Sequence, residues 1–390
     1  MSVMRIAVLP AMVGQALTFA LLPAVLPGIA TYFGGGAKGE HSAQLAAVFP
    51  FLGLTVGALA SGAVIRLLGP RNAVLVAAAA LGAGGCVGLF AAGQTVLLIG
   101  CVLVGFGAAM LTSGLSEVTA LSFEGSARTR IIGYQTAMAD LAAAVLGLAS
   151  AFIAERLGWR TPFGFYLIFG AVMLALASSA IRNLRPAPPA QKGDARSVLR
   201  AWPIFLAAGL GFMLATTQGT QLPFLLAHNG IDTPGLRAIV MTITSALAVA
   251  ASLFFGTTSA RLGDATMMTL SAATGTAGFL IFGSWTHGFL IACIAGGLLG
   301  VSLGLFVPLL YAAVMRAVPP EASGQAVGFL NAAIFVGSFV NPIVLGPLRT
   351  IAGLSGQMSV LAGLTLLLGV AILSLTKSGR SKSLPARMES

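Results

Sequence analysis

Runs of about twenty apolar residues follow one another along this chain with only short breaks between them. A helix rises about 1.5 Å per residue, so a run of that length spans the roughly 30 Å hydrocarbon core of a bilayer. Such runs fall at 6–33, 43–65, 73–92, 95–121, 131–154 and 162–181, and again at 201–227, 236–260, 266–285, 288–315, 325–348 and 356–376. Composition agrees, since 57% hydrophobic against 8% charged residues leaves too little polar surface to cover a soluble domain. The runs are continuous instead of alternating, which predicts helices and not barrel strands; only those two structures satisfy every backbone polar group in lipid. The expected fold class is an all-α integral membrane protein with twelve transmembrane helices in two six-helix bundles.

The sustained polar stretch between the two sets, residues 182–200, is rich in proline and charge and reads as a solvated tether. It divides the chain into an N-terminal bundle at 1–181, a linker at 182–200, a C-terminal bundle at 201–376 and a basic tail at 377–390. Two turns repeat the same glycine spacing 194 positions apart: Gly62-Ala-Val-Ile-Arg-Leu-Leu-Gly69 and Gly256-Thr-Thr-Ser-Ala-Arg-Leu-Gly263. Six spans return the chain to its starting side, so the two sets are parallel repeats, an arrangement suited to alternating access. The first run lacks a small-residue cleavage site and reads as a retained helix.

The net charge of +11 follows topology. All but five of the 21 Lys and Arg residues fall on one set of loops and ends; the exceptions are Lys38, Arg156, Arg160, Arg237 and Arg349. The excess of positive charge marks the cytoplasmic side, which puts both termini in the cytoplasm and the protein, multi-pass, in the cell inner membrane. Scattered over short loops, these charges form no stripe for nucleic acid. Cys86, Cys101 and Cys293 lie in apolar runs without metal-site spacing, and His41, His228 and His287 lie far apart at helix ends, so neither a metal nor a cofactor is expected.

Three further motifs carry a family resemblance. Gly62, Gly69 and Arg71 fit a Gly-x-x-x-Asp-Arg-x-Gly-Arg-Lys loop; Gly158-Trp159-Arg160 with Phe163 fits Gly-Trp-Arg-x-x-Phe; Val318-Pro-Pro-Glu-Ala-Ser-Gly324 fits Val-Pro-Pro-Glu-x-x-Gly. In these loops, and over essentially its full length, the chain resembles the major facilitator superfamily of secondary transporters. The departures are specific. Arg66 stands where the first loop usually has an acid, and Ala260 stands there in the second copy. Cys101, not arginine, precedes Gly105 in the fourth span, and Leu146-Gly147 replaces the Gly-Pro pair of drug/proton antiporters.

Glu117 and Asp140 are the carboxylates well inside a span, where an ionisable group is costly and functional by default. Both are candidates for proton coupling, with substrate contact and a structural role as the other readings of Asp140. Glu117 is also expected to latch a cytoplasmic gate made of Gly62, Arg66, Gly69, Arg71, Arg128 and Arg130. Gln15, Thr18, Ser113, Tyr134, Gln135, Gln218, Gln221, Tyr311 and Asn331 are the polar residues expected to line a substrate cavity or to bond neighbouring helices. With no arginine or lysine read at mid-depth, that cavity suits a neutral or amphiphilic organic solute. Pro23, Pro27, Pro223 and Pro308 mark bends.

An ATP-driven pump needs a phosphate loop that the sequence lacks. An intramembrane enzyme would have only Glu117 and Asp140 as an acid pair, so no enzyme is expected. The reading is a monomeric secondary transporter whose partners are a small-molecule substrate, protons and the lipid bilayer, exporting its solute by proton antiport. Uptake by proton symport or facilitated diffusion is the alternative, and a non-transporting receptor the third.

Overall fold

The computed structural model describes residues 6–181, 195–285, 287–319 and 322–381, and the regular structure among them is helical, without a strand. Continuous helical elements are numbered here along the chain: α1 Val13–Tyr32, α2 Gly36–Leu89, α3 Gln94–Ser122, α4 Gly125–Leu157, α5 Gly164–Ala180, α6 Ala195–Arg200, α7 Trp202–Ala215, α8 Thr217–Thr220, α9 Leu222–His228, α10 Pro234–Ser284, α11 Phe289–Ala317 and α12 Ser323–Ser381. Eight helical stretches among the described residues are long and apolar enough to cross a membrane. Two of these, Gly36–Leu89 with 54 residues and Gln325–Ser374 with 50, are about twice the length a crossing needs. The chain is a multi-pass membrane protein, and side chains such as Leu59, Leu67, Leu253, Leu290 and Ile351 stand largely exposed on its surface, as a lipid solvent allows.

The repeat seen in the sequence has a backbone counterpart. Gly69 breaks α2 at φ 82°, ψ 160°, and Gly263 breaks α10 at φ 76°, ψ 159°. Glycine adopts this region without a Cβ clash, whereas other residues are strained there. The two breaks lead out differently. Pro70 follows the first, its missing N–H harmless at a helix start. Asp264 follows the second, where a carboxylate meets the positive end of the next helical segment, and it pairs with Arg316 at 2.5 Å. Gly158 at φ 90° and Gly353 at φ 70° form a second matched pair at nearly the same offset.

The boundaries differ from the apolar runs in two ways. Helices α2 and α4 begin at Gly36 and Gly125, ahead of the expected 43 and 131, because helical hydrogen bonding continues past the apolar core into polar turns. The run at 201–227 is three helices instead of one, interrupted at Thr216 and Gln221. Pro223 has no N–H to donate back along the chain, which favours the break. The break is braced by side chains: Asn341 Nδ2 donates to the Met213 carbonyl at 2.6 Å, and Thr216 Oγ1 adds a bond at 2.7 Å to the Phe212 carbonyl, which also accepts the Thr216 N–H. Irregular backbone is stable at such depth only with partners of this kind.

Small residues set the packing distances between helices. A Cβ at Gly107 of α3 would lie 2.5 Å from the Leu81 nitrogen and 2.7 Å from the Ala77 oxygen of α2. Gly105 meets the Pro50 backbone, and in the second half Gly300 and Gly304 of α11 meet the Thr244 and Ala248 backbones of α10 in the same manner. Close backbone approach of this kind supplies the dispersion contact that lipid cannot. The two halves of the sequence meet through α2 against α12, α4 against α10, and α1 against α9.

Candidate functional site

A cavity of about 210 Å³ opens where α1, α2, α4, the broken α7–α9 segment, α10 and α12 converge. Thr18, Phe19 and Pro23 contribute from α1, and Ala143, Ala144 and Gly147 from α4. Phe212, Gln218 and Thr220 come from the broken segment, Arg237, Met241 and Ser245 from α10. Both halves of the sequence therefore build its wall. The interruption of 201–227 matters locally, because it brings Gln218 and Thr220 to the cavity and leaves the Met213 carbonyl to Asn341 Nδ2, which also donates to the Thr217 hydroxyl at 2.9 Å.

A polar ring lies beside the cavity, next to the wall residues Ala47 and Thr220. Glu40 and Gln44 lie one turn apart on α2. Arg349 of α12 forms an ion pair with Glu40 and donates from Nη1 to the Gln221 Oε1 at 3.1 Å; the same oxygen accepts from Gln44 Nε2 at 3.1 Å. The guanidinium carbon also lies 5.4 Å from the centre of the Phe224 ring. Gln44 and Gln221 are buried, and the Arg349 and Glu40 side chains are 16% and 26% exposed. A pair this protected from water is weakly screened, and its geometry joins α2 directly to α12 across the two halves. Other polar contacts join helices within one half: Arg71 Nη2 donates to the Ser178 carbonyl at 2.9 Å, Gln135 Nε2 to the Val8 carbonyl at 2.9 Å, and Tyr311 Oη to Asn331 Oδ1 at 2.6 Å.

The residues singled out in the sequence are distributed unevenly around this site. Thr18 and Gln218 line the cavity, and Gln221 belongs to the polar ring. Gln135 is buried, bonding Val8 and the Thr119 hydroxyl, while Tyr311 and Asn331 bond each other between α11 and α12. Gln15 and Ser113 are half-buried, and Tyr134 is exposed. In the expected gate, Gly62 and Arg66 are exposed, Gly69 forms the break, Arg71 caps the end of α5, and Glu117 is half-buried. The side chains of Asp140, Arg128 and Arg130 lie outside the described residues.

Four residues of the site escaped the sequence reading: Glu40, Gln44, Arg237 and Arg349. Charged residues at span ends were taken as solvated, which fits Arg66 and fails for Arg237, only 8% exposed and on the cavity wall. The signal available was weak. Glu40 and Gln44 share a helix face, and Arg237 stands alone near the start of an apolar run.

A sequence model described as the Major Facilitator Superfamily matches residues 8–236 and 204–389. Among solved structures, a peptide transporter POT aligns with a TM-score of 0.77 at 13% identity, covering 96% of this chain and 94% of that one. The nucleoside transporter NupG aligns at 0.76 and 14% identity, covering 95% and 99%. A POT family transporter in complex with 5-aminolevulinic acid aligns at 0.76 and 10% identity, covering 96% of each chain. At these identities the likeness is one of fold.

Proposed function

This chain belongs to the Major Facilitator Superfamily, and from that premise we propose that it carries a small organic solute across the cell inner membrane by alternating access, exporting it in exchange for protons. The observation that carries this reading is a cavity walled by both halves of the sequence, with a cross-half polar ring of Glu40, Arg349, Gln221 and Gln44 beside it. A carrier needs a central site whose two ends open in turn, and a polar ring joining the two halves is a contact that can hold one end shut.

In this proposal twelve spans form two six-helix bundles, 1–181 and 201–376, joined by the linker at 182–200. Both termini and the basic tail at 377–390 face the cytoplasm, and the protein works as a monomer. The ring then seals the outer end, and the Gly62–Arg71 turn with Glu117, Arg128 and Arg130 serves the cytoplasmic gate. Asp140 is the coupling group, because a carboxyl within a span that exchanges between water and a drier site changes its proton affinity as the ends alternate. Glu117, half-buried toward the end where Arg71 meets Ser178, is the second acid. Fold neighbours whose names concern peptides, nucleosides and 5-aminolevulinic acid support a small organic cargo.

Proton symport or facilitated diffusion inward is the second reading, favoured by Leu146-Gly147 in place of the antiporter Gly-Pro pair. The deciding experiment reconstitutes the full chain in liposomes and follows lumenal pH while a panel of organic solutes is added, with Asp140→Asn in parallel. Solute-driven proton movement opposite to the solute and lost in the variant supports antiport, and movement in the same direction supports symport. Solute flux without a proton signal, unchanged in Asp140→Asn, leaves a facilitator. Ligand binding with no flux at all leaves a receptor.

A further inference from the structure

The cavity contains a cation that the transport reading has not used. Arg237 is 8% exposed and lies on the cavity wall, and its Nη1 reaches the Ile231 carbonyl at 3.4 Å. It forms no ion pair among the described residues. The acids whose charge acts on it, Asp232 and Glu155, are exposed, and neither contributes to the cavity wall. A guanidinium has five N–H donors, and a single long bond leaves most of that capacity directed elsewhere.

Its position in the chain strengthens the point. Arg237 occupies the first turn of α10, its backbone N–H donating to the Thr233 carbonyl at 3.3 Å. The start of a helix is its positive end, where a cation is disfavoured and an anion is stabilised. Guanidinium and helix end therefore add to one positive potential beside the cavity, in a site shielded from water. Burying such a charge is unfavourable unless an anion accompanies it.

Several hydroxyls of the wall are already committed as donors. The hydroxyls of Thr216, Thr220, Thr244 and Ser245 donate to the carbonyls of Phe212, Thr216, Val240 and Met241, one turn back on their own helices. The cationic donor of the wall is Arg237, accompanied by the neutral amide of Gln218, the hydroxyls of Thr242 and Ser338, and apolar surface from Phe19, Phe51, Phe212 and Met241. One guanidinium matches one carboxylate, two N–H to two oxygens. A cavity of about 210 Å³ suits a small organic body on that carboxylate.

We propose that the cavity takes a small organic monocarboxylate, its carboxylate held by Arg237 and its apolar body against the phenylalanines. The proposal rests on the transport reading and narrows the neutral or amphiphilic cargo expected from sequence to an anionic one.

The test compares benzoate and hexanoate with their uncharged amides and with benzylamine, using purified full-length protein and proteoliposomes. Thermal protection in detergent reads binding, and uptake of labelled benzoate reads flux. The expected result is protection by the carboxylates at concentrations about tenfold or more below those needed for the amides. Benzylamine should give none. Arg237→Gln should lose that preference while eluting as the folded protein, and Arg237→Lys should keep part of it. The proposal is overturned if amides or benzylamine protect as well as the acids, if no carboxylate protects at millimolar concentration, or if Arg237→Gln retains the preference. Benzoate binding that depends on Arg237 without any flux would uphold the site and sink the transport reading. Flux of uncharged solutes unaffected by Arg237→Gln would do the reverse.

Discussion

Glu40 on α2 and Arg349 on α12 form an ion pair that joins the two halves of the sequence beside the cavity, and Gln221 shares the same guanidinium at 3.1 Å. Arg349 donates to both acceptors at once, so removing the carboxylate leaves a largely buried cation with an amide as its remaining polar partner.

Glu40→Gln is therefore expected to loosen this junction more than a surface substitution does. With both side chains partly reached by water, the loss should be about 1–2 kcal/mol, between exposed and fully buried pairs. A loss of about 1 kcal/mol corresponds to roughly a fivefold change in a two-state ratio. A cysteine placed at Ala47, a residue of the cavity wall, should accordingly react with an impermeant maleimide severalfold faster in the Glu40→Gln background. An equal labelling rate would show that the pair does not hold the end closed. Adding Arg349→Gln to Glu40→Gln should cost less than Arg349→Gln alone, the coupling expected of direct partners.

The repeated turn gives a contrast within one motif. Gly263 has φ 76° and no atom within 4 Å of a built Cβ, whereas Gly256 is equally open but helical. Gly263→Ala should destabilise by about 1–3 kcal/mol through backbone strain alone. Gly256→Ala should be neutral or stabilising by up to about 1 kcal/mol. Thermal unfolding of both variants in detergent checks this, and a parallel drop in the two would refute the backbone account.

Asn341 is fully buried and holds the broken segment at two points, donating to the Met213 carbonyl and the Thr217 hydroxyl. Asn341→Ala strands these groups at about 1–3 kcal/mol each before relaxation. Asn331→Ala, removing one bond to Tyr311 at a half-buried site, should cost clearly less. Unfolding midpoints measured side by side decide it; equal losses would mean that Asn341 does not brace the break.

Gly107 faces backbone that cannot yield, and Gly93 faces open space with nothing within 4 Å. Gly107→Leu should disrupt the packing of α3 on α2 and abolish a monodisperse elution peak, because overpacking against a main chain has no rotamer to relieve it. Gly93→Ala should elute as wild type does. A well-behaved Gly107→Leu protein would show that the two helices can separate without loss of the fold.

What could be read in advance was local in origin. Apolar runs and their lengths imply helices in lipid because transfer energy and backbone hydrogen bonding act residue by residue. The Gly69 and Gly263 turns are legible because a break at positive φ with extended ψ needs glycine whatever surrounds it. Thr18 and Gln218 were identified as cavity residues because polar side chains in a span need somewhere to point. The interruption of 201–227 was harder, since Pro223 permits a break but the partners that stabilise it, Asn341 above all, come from a distant helix.

The membrane class, the helical elements and the duplicated turns thus follow from the sequence by itself, since each depends on neighbours along the chain. The burial of Arg237, the joining of Glu40 to Arg349 and the meeting of Gln44 with Gln221 were decided by the tertiary structure alone. A charge at the end of a span looks the same in sequence whether water or another helix covers it. Only the packing of α2 against α12, and of α10 around the cavity, sets the distance and the desolvation that turn such a charge into a lock or a binding group.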